Sequence, residues 1–420
     1  MNIVLIFSSF SPYHHARAAA LRQLCQNKGH HLIIAAITAP SLSHQWTPEN
    51  DLKIHVLCEK GSDGDVSLVE IACSWVRFLR VHRPDVVVIA GYWPLSIALL
   101  GLVPLTKRIP RILMTESHAN TAKRTGFAAL AKKALIRSFS AALVGGKLHK
   151  EFLVSLGFTP TRIRDGYDCV DNGFFATQAM TARSQTDNFR ARYRLPRNYF
   201  LSIGRLVPKK NINTLISSYA IYRNRLLEKS IDLVIVGDGE VSGEIREQCA
   251  ALHLPIREAS SEDLSKLPEY EVKTPANPTV HFYGSRKNHE LPVFLALAHA
   301  FVLPSIEEEW GLVVNEAMAG GCPVIVSERA GCAQDLLSES YLDMKQFDCS
   351  SAGLDVRKGG IIFNPTDHQG LATALETMTS CLKLRDAMAR DAQNAVQIYT
   401  PQRFADHILQ LAALVTRVRS

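Results

Sequence analysis

At 420 residues the chain is too long for one ordinary core and calls for two domains. Hydrophobic residues make up 47% and charged residues 21%, which excludes a disordered or low-complexity chain. A formal charge of +7 without dense basic stripes excludes a dedicated nucleic-acid binder and suits phosphorylated substrates or an anionic membrane surface.

Nine cysteines show neither paired metal spacing nor a small secreted framework, so reduced thiols and a cytoplasmic setting are expected. Met1 to Phe7 lacks a basic lead and is too short for a signal sequence; Ile3 to Phe7 reads as a first buried strand. Ser8 to Tyr13 is the loop at its carboxyl end. His14, His15 and Arg17 then open a helix towards Cys25, closed by Lys28-Gly29. His31 to Ala36 is a second strand. Ligands of open α/β sheets gather at the carboxyl ends of strands, which points Tyr13, His14 and Arg17 at a cleft. A helix start with polar caps is the other reading of these residues.

Asp51 to Cys58 reads as a strand and Val66 to Val81 as a helix, with Asp63-Gly64-Asp65 as turn and cap chemistry. Val86 to Leu105 carries no charge over 20 residues, long enough to span a bilayer. Gly91, Pro94 and Gly101 divide it instead into a strand and a short buried helix. Arg111 to Met114 is the next strand, and His118 stands just beyond its end, placed for a cleft or for a structural hydrogen bond. Residues 120–139 interleave Lys123, Arg124, Lys132, Lys133 and Arg137 with Phe127, Leu130, Leu135 and Phe139. That pattern fits peripheral contact with anionic lipid and an ordinary surface helix equally well. Ser140 to Val144 is a strand, and polar Ala176 to Arg197 reads as a linker, with the first domain ending near residue 190.

A second series starts with the strand Tyr199 to Gly204, followed by Arg205, Lys209, Lys210 and a helix to about Leu227. Cations at a strand's carboxyl end can neutralise a diphosphate, Arg as a fork and Lys as a point charge. Ile231 to Val236 and Val280 to Gly284 are further strands, the first closed by Gly237-Asp238-Gly239. Leu252 to Asn277 and Ser338 to Arg357 read as surface insertions.

Between them lies the densest stretch, FVLPSIEEEWGLVVNEAMAGGCPVIV from Phe301 to Val326: a strand, an acidic loop, a helix and another strand. The helix start at Gly311-Leu312 offers free N–H groups and a positive dipole end to a phosphate, and Gly311 keeps no side chain between ligand and backbone. Glu308 and Glu316, on either side of it, can accept hydrogen bonds from sugar or ribose hydroxyls. Two glutamates alone also read as solvated surface charge.

The whole string PS-x-x-E-x-WGL-x-x-NEAMA-x-G-x-PV resembles the donor-site motif of retaining family 4 glycosyltransferases (glycosyl transferases group 1), whose hallmark is two glutamates separated by seven residues. That register selects Glu308 from three consecutive glutamates. GRLVPKKN at Gly204 to Asn211 resembles the family's phosphate loop, and VGDG at Val236 to Gly239 its glycine turn. The resemblance implies a GT-B fold, α/β, with two doubly wound Rossmann-like domains facing across a cleft. An acceptor-side domain would span 1–190, with the C-terminal helix at about 401–419 packing back on it; a donor-binding domain would span 191–400. It implies a retaining, metal-independent hexosyltransferase-like enzyme without a cofactor. This enzyme would move a sugar from a nucleoside diphosphate sugar, in UDP or GDP form, to a carbohydrate or lipid-linked acceptor in polysaccharide or glycoconjugate synthesis. It would work in the cytoplasm or at the inner face of the membrane. Arg205 and Lys210 would hold the diphosphate and Glu316 the ribose, while Glu308 would hold the sugar hydroxyls. Trp310, Gly311 and Leu312 complete the donor site, His118 would reach the donor sugar, and Tyr13, His14 and Arg17 form the acceptor side. Two other readings stand beside this one, a nucleotide-sugar epimerase of the same fold and a non-catalytic membrane-associated protein.

Overall fold

The computed structural model describes residues 1–38, 52–58, 67–91, 109–121, 133–259, 278–341, 344, 347 and 353–417. Asp63, Asp65, residues 92–108 and most of the basic 120–139 segment lie outside these. The chain forms two compact units, Met1–Asp171 together with the chain from Tyr399 onward, and Asn172–Ile398.

The first unit is built on β1 (Asn2–Phe7), β2 (His31–Thr38), β3 (Ile54–Cys58), β4 (Val86–Ala90), β5 (Arg111–Thr115), β6 (Ala141–Val144) and β7 (Ile163–Arg164). They pair in the order β3-β2-β1-β4-β5-β6-β7, all parallel. A parallel sheet is covered on both faces, so its strands are apolar without alternation; in β1 every residue from Ile3 to Phe7 is buried. The final helix, Pro401–Arg417, packs on the first, Pro12–Asn27. Arg403 pairs with Asp165 at 2.5 Å, and the His407 ring bonds the Asp165 carbonyl at 2.7 Å.

The second unit carries β8 (Tyr199–Ile203), β9 (Asp232–Val236), β10 (Ile256–Glu258), β11 (Val280–Phe282), β12 (Ala300–Leu303), β13 (Val324–Ser327), β14 (Asp355–Arg357) and β15 (Gly360–Phe363). Their order is β10-β11-β9-β8-β12-β13-β15-β14, parallel except for β14 against β15. From β8 the chain winds one way through β9 and β11. It then returns to the other side of β8 with β12. The neighbours β8 and β12 are therefore the topological switch point, where the loops diverge and leave a crevice.

Three expectations are corrected. Ala176 to Arg197 is not a linker: helices Asn172–Ser184 and Thr186–Tyr193 occupy it, and the unit boundary falls at Asp171/Asn172 rather than near 190. Phe175, Ala179 and Ala182 form a buried stripe at helical spacing, and this helix packs on helices Leu291–Leu297 and Leu312–Ala319. The expected insertions also contribute to the sheet, since β10 adds an edge strand to β11 and β14 forms an antiparallel edge on β15. Among the described residues no helix is long and apolar enough to cross a membrane, and β4 accounts for the start of the uncharged Val86 segment.

Candidate functional site

At the switch point of the second unit, the loops after β8 and β12 are sewn together. The Lys209 carbonyl accepts the Ile306 N–H at 2.9 Å, and Lys210 Nζ donates to Glu308 Oε2 at 2.5 Å. Ser305 Oγ donates to the same carboxylate oxygen at 2.9 Å. Glu308 is 7% exposed and its lysine partner half-buried, so the attraction is little screened by water. Arg205 and Lys210 line a recess with Gly204, Leu303 and Pro304. Arg205 is exposed, so this recess offers one cation at the surface and one held by its carboxylate.

The glycine turn after β9 lies directly against this loop. The Leu206 N–H donates to the Asp238 carbonyl at 2.9 Å, and a Cβ on Gly237, whose φ is +136°, would lie 1.9 Å from the Gly204 carbonyl oxygen. Backbone meets backbone here, and only glycine admits it.

Helix Leu312–Ala319 begins at Gly311, whose φ of +100° is left-handed. A Cβ there would meet only the end of the Leu303 side chain, at 2.9 Å, so it is the left-handed backbone that calls for glycine. The helix directs its positive end to the same crevice as Glu308. Glu316, one turn beyond Leu312, is 2% exposed. A strap formed by residues 330–332 secures the acidic loop: Gly331 N–H donates to the Glu308 carbonyl at 3.2 Å, and Cys332 N–H to the Trp310 carbonyl at 3.1 Å. The sequence carries no sign of this strap, because backbone pairing leaves no signature in residue type.

The second unit thus brings together Arg205, Lys210, Glu308 and Gly311, with Leu312 and Glu316 on the helix that Gly311 opens. Trp310 belongs to the same loop but not to a ligand surface. Its indole is 1% exposed and donates through Nε1 to Asn315 Oδ1 at 2.8 Å, which locks the loop to the helix. The indole's role in the structure is to hold the loop's shape.

The remaining expected residues belong to the first unit. Tyr13 is partly exposed in the first turn of helix Pro12–Asn27. His14 stacks on Phe7 with ring centroids 4.0 Å apart, and its Nδ1 accepts the Ser11 N–H at 3.1 Å. Burial, then the neighbouring Arg17, lowers its pKa to about 3, so the ring is neutral and caps its own helix. Arg17 is 1% exposed; its Nε donates to the Cys169 carbonyl at 3.1 Å, and its guanidinium lies over the Tyr167 ring at 4.7 Å. It also approaches Asp168 at 3.7 Å, a carboxyl that burial and Glu116 push well above the usual range. In the structure His14 caps its own helix, and Arg17 braces the Cys169 carbonyl and the Tyr167 ring within the first unit. His118 follows β5 and is 1% exposed. Its Nδ1 accepts the Asn120 N–H at 3.4 Å, and its ring meets His149 edge-on at 5.1 Å.

Comparison with known proteins bears on the family and the fold. The family of glycosyl transferases group 1 matches residues 185–395, half of the chain. The sulfoquinovosyl transferase SQD2 of Arabidopsis thaliana is 32% identical over 118 residues, which are 28% of this chain and 20% of that protein. The mannosylfructose-phosphate synthase of Agrobacterium fabrum is 26% identical over 217 residues, 51% of this chain and 42% of that protein. The chain thus spans less than half the length of either relative. Among solved structures, a glycosyltransferase from Rickettsia africae superposes with a TM-score of 0.69 at 13% identity, covering 99% of this chain and 98% of that one. Anabaena Alr3699/HepE, solved in complex with UDP, superposes with a TM-score of 0.65 at 15% identity, covering 99% and 100%. The fold is the GT-B type, with two Rossmann-like units, and the chain belongs to the glycosyl transferases group 1 family.

Proposed function

We propose that the protein is a retaining glycosyltransferase that moves a sugar from a nucleoside diphosphate sugar to an acceptor hydroxyl in polysaccharide or glycoconjugate synthesis. The observation that carries this reading is the cation–carboxylate pair Lys210–Glu308 at the switch point, beside Arg205 and the start of helix Leu312–Ala319. Positive charge suited to phosphates and a buried carboxylate suited to neutral hydroxyls meet there.

In this reading the chemistry is electrostatic. Breaking the bond from the anomeric carbon to the diphosphate oxygen leaves charge on the diphosphate. Arg205, Lys210 and the helix start stabilise that charge as it develops, without a metal. Glu308 accepts hydrogen bonds from the sugar hydroxyls and Glu316 from the ribose, which fixes the anomeric carbon for attack. The acceptor's proton passes to the departing phosphate as the new glycosidic bond forms on the same face. UDP is the first nucleotide to try, because a protein of this fold was solved with it.

The test is thermal stabilisation by UDP, GDP, ADP and their sugars, on the wild type and on Glu316→Ala, with EDTA present in a parallel set. A native-state ligand at about 100 times its Kd stabilises by about 2.7 kcal/mol. The expected result is that one nucleotide raises the melting temperature, EDTA leaves the shift intact and Glu316→Ala removes it. NMR of the product formed with an accepted hydroxyl compound then reports the anomeric configuration. No shift from any nucleotide at millimolar concentration would sink the proposal.

A further inference from the structure

We infer that Asn211 is the positioning residue of the donor site, setting the separation between Lys210 and Glu308; this rests on the donor-site reading above. Asn211 directly follows Lys210 and precedes helix Ile212–Leu226, with φ 56° and ψ 35°. Side chains other than Asn and Asp seldom take that left-handed conformation, and glycine takes it freely. The backbone alone would therefore be served by glycine.

The side-chain amide contributes what glycine lacks. Its Nδ2 donates to the Pro304 carbonyl at 3.0 Å and to the Pro365 carbonyl at 2.9 Å, and its Oδ1 accepts from Thr214 Oγ1 at 2.8 Å. Both amide protons are used, and two carbonyl partners on one atom identify that end as the nitrogen. Pro304 follows β12 directly, and Pro365 stands two residues beyond β15. One side chain thus ties the loop after β8 to the carboxyl ends of two other strands. Its anchor points lie close to both charged groups: Asn211 is next to Lys210, and Pro304 stands four residues before Glu308. With the amide in place, the ammonium and the carboxylate leave from fixed backbone, and their 2.5 Å contact follows.

The test compares Asn211→Gly and Asn211→Asp with the wild type by hydrogen exchange, by calorimetric titration with UDP and GDP, and by melting temperature. The glycine variant keeps the backbone and loses the ties. It should stay folded, exchange the Ile306 and Glu307 amides faster and bind the nucleotide about tenfold more weakly. The aspartate variant keeps the shape but turns a carboxylate oxygen towards two carbonyls, and should bind more weakly still. A merely structural brace would lower the melting temperature and leave nucleotide affinity unchanged; that result overturns the assignment. Wild-type affinity in the glycine variant overturns it too. If the wild type itself binds neither nucleotide, the donor-site reading has failed, and the positioning role falls with it even where exchange quickens.

Discussion

Replacing Lys210 by Met tests the central pair most directly. The substitution keeps most of the side chain's volume but leaves the buried Glu308 carboxylate without the cation that now stands 2.5 Å away. Removing one partner of a buried ion pair costs about 3–5 kcal/mol. Ser305 Oγ still donates to the carboxylate, and the lysine side chain was 17% exposed, so the lower end, about 3 kcal/mol, is expected. In a domain of this size about 1 kcal/mol moves the midpoint by about 2–4 °C, so the second unit should melt about 6–12 °C lower. Adding Glu308→Gln to Lys210→Met removes the stranded charge and should recover most of the loss, to within about 1 kcal/mol. Scanning calorimetry is the suitable assay, because two units need not melt in one step. A drop under about 1 °C for the single variant, or a double variant no better than the single, would refute the view that Lys210 neutralises a buried carboxylate.

Three further outcomes are expected. Arg183 donates to the Ala296, Gly320 and Gly321 carbonyls at 3.1, 2.6 and 3.2 Å, across the C-terminal ends of two helices; Arg183→Met should cost about 2–4 kcal/mol by denaturant titration of the second unit. Gly237→Ala would drive a Cβ to 1.9 Å from the Gly204 carbonyl oxygen and should abolish soluble folded protein, whereas Gly243→Ala meets nothing within 4 Å and should be neutral or stabilising, as circular dichroism would report. His14 has its pKa lowered from 6.5 to about 3, so between those values the unfolded chain binds a proton that the folded chain excludes. Its contribution to stability is therefore complete above about pH 6.5 and declines as the pH falls towards 3. His14→Gln, which retains an acceptor for the Ser11 N–H, should narrow the difference between midpoints at about pH 7.5 and about pH 5; an unchanged difference would refute the assignment.

Much of the architecture was legible because parallel strands buried on both faces announce themselves as apolar runs, as Ile3 to Phe7 and Leu233 to Val236 do. The short edge strands were not. β10 and β14 are three residues each, each with an exposed first residue, and their composition is that of a loop. The helices at Asn172–Ser184 and Thr186–Tyr193 were hidden for a related reason: a stripe of Phe175, Ala179 and Ala182 carries little hydrophobicity against many polar neighbours.

At the site, residue type told which chemistry was available but not which way a side chain turned. Lys210 and Glu308 stand on different loops 98 residues apart, and their contact depends on β8 and β12 being neighbours, which follows from the winding order and not from either loop alone. Trp310 and Arg17 show the converse. Each occupies a loop or helix start at a strand's carboxyl end and has the functional groups a ligand would use, yet each directs polar atoms inside its own unit, to Asn315 and to the Cys169 carbonyl. Buried polar atoms seek partners, and Trp310 Nε1 and Arg17 Nε find theirs in the chain itself. The same rule explains Asn211: at a left-handed position next to Lys210, an amide that meets two carbonyls converts a backbone requirement into a tie between three strand ends. The crevice at the switch point is thus shaped as much by side chains directed into the unit, such as Asn211 and Trp310, as by the charged groups at its edge.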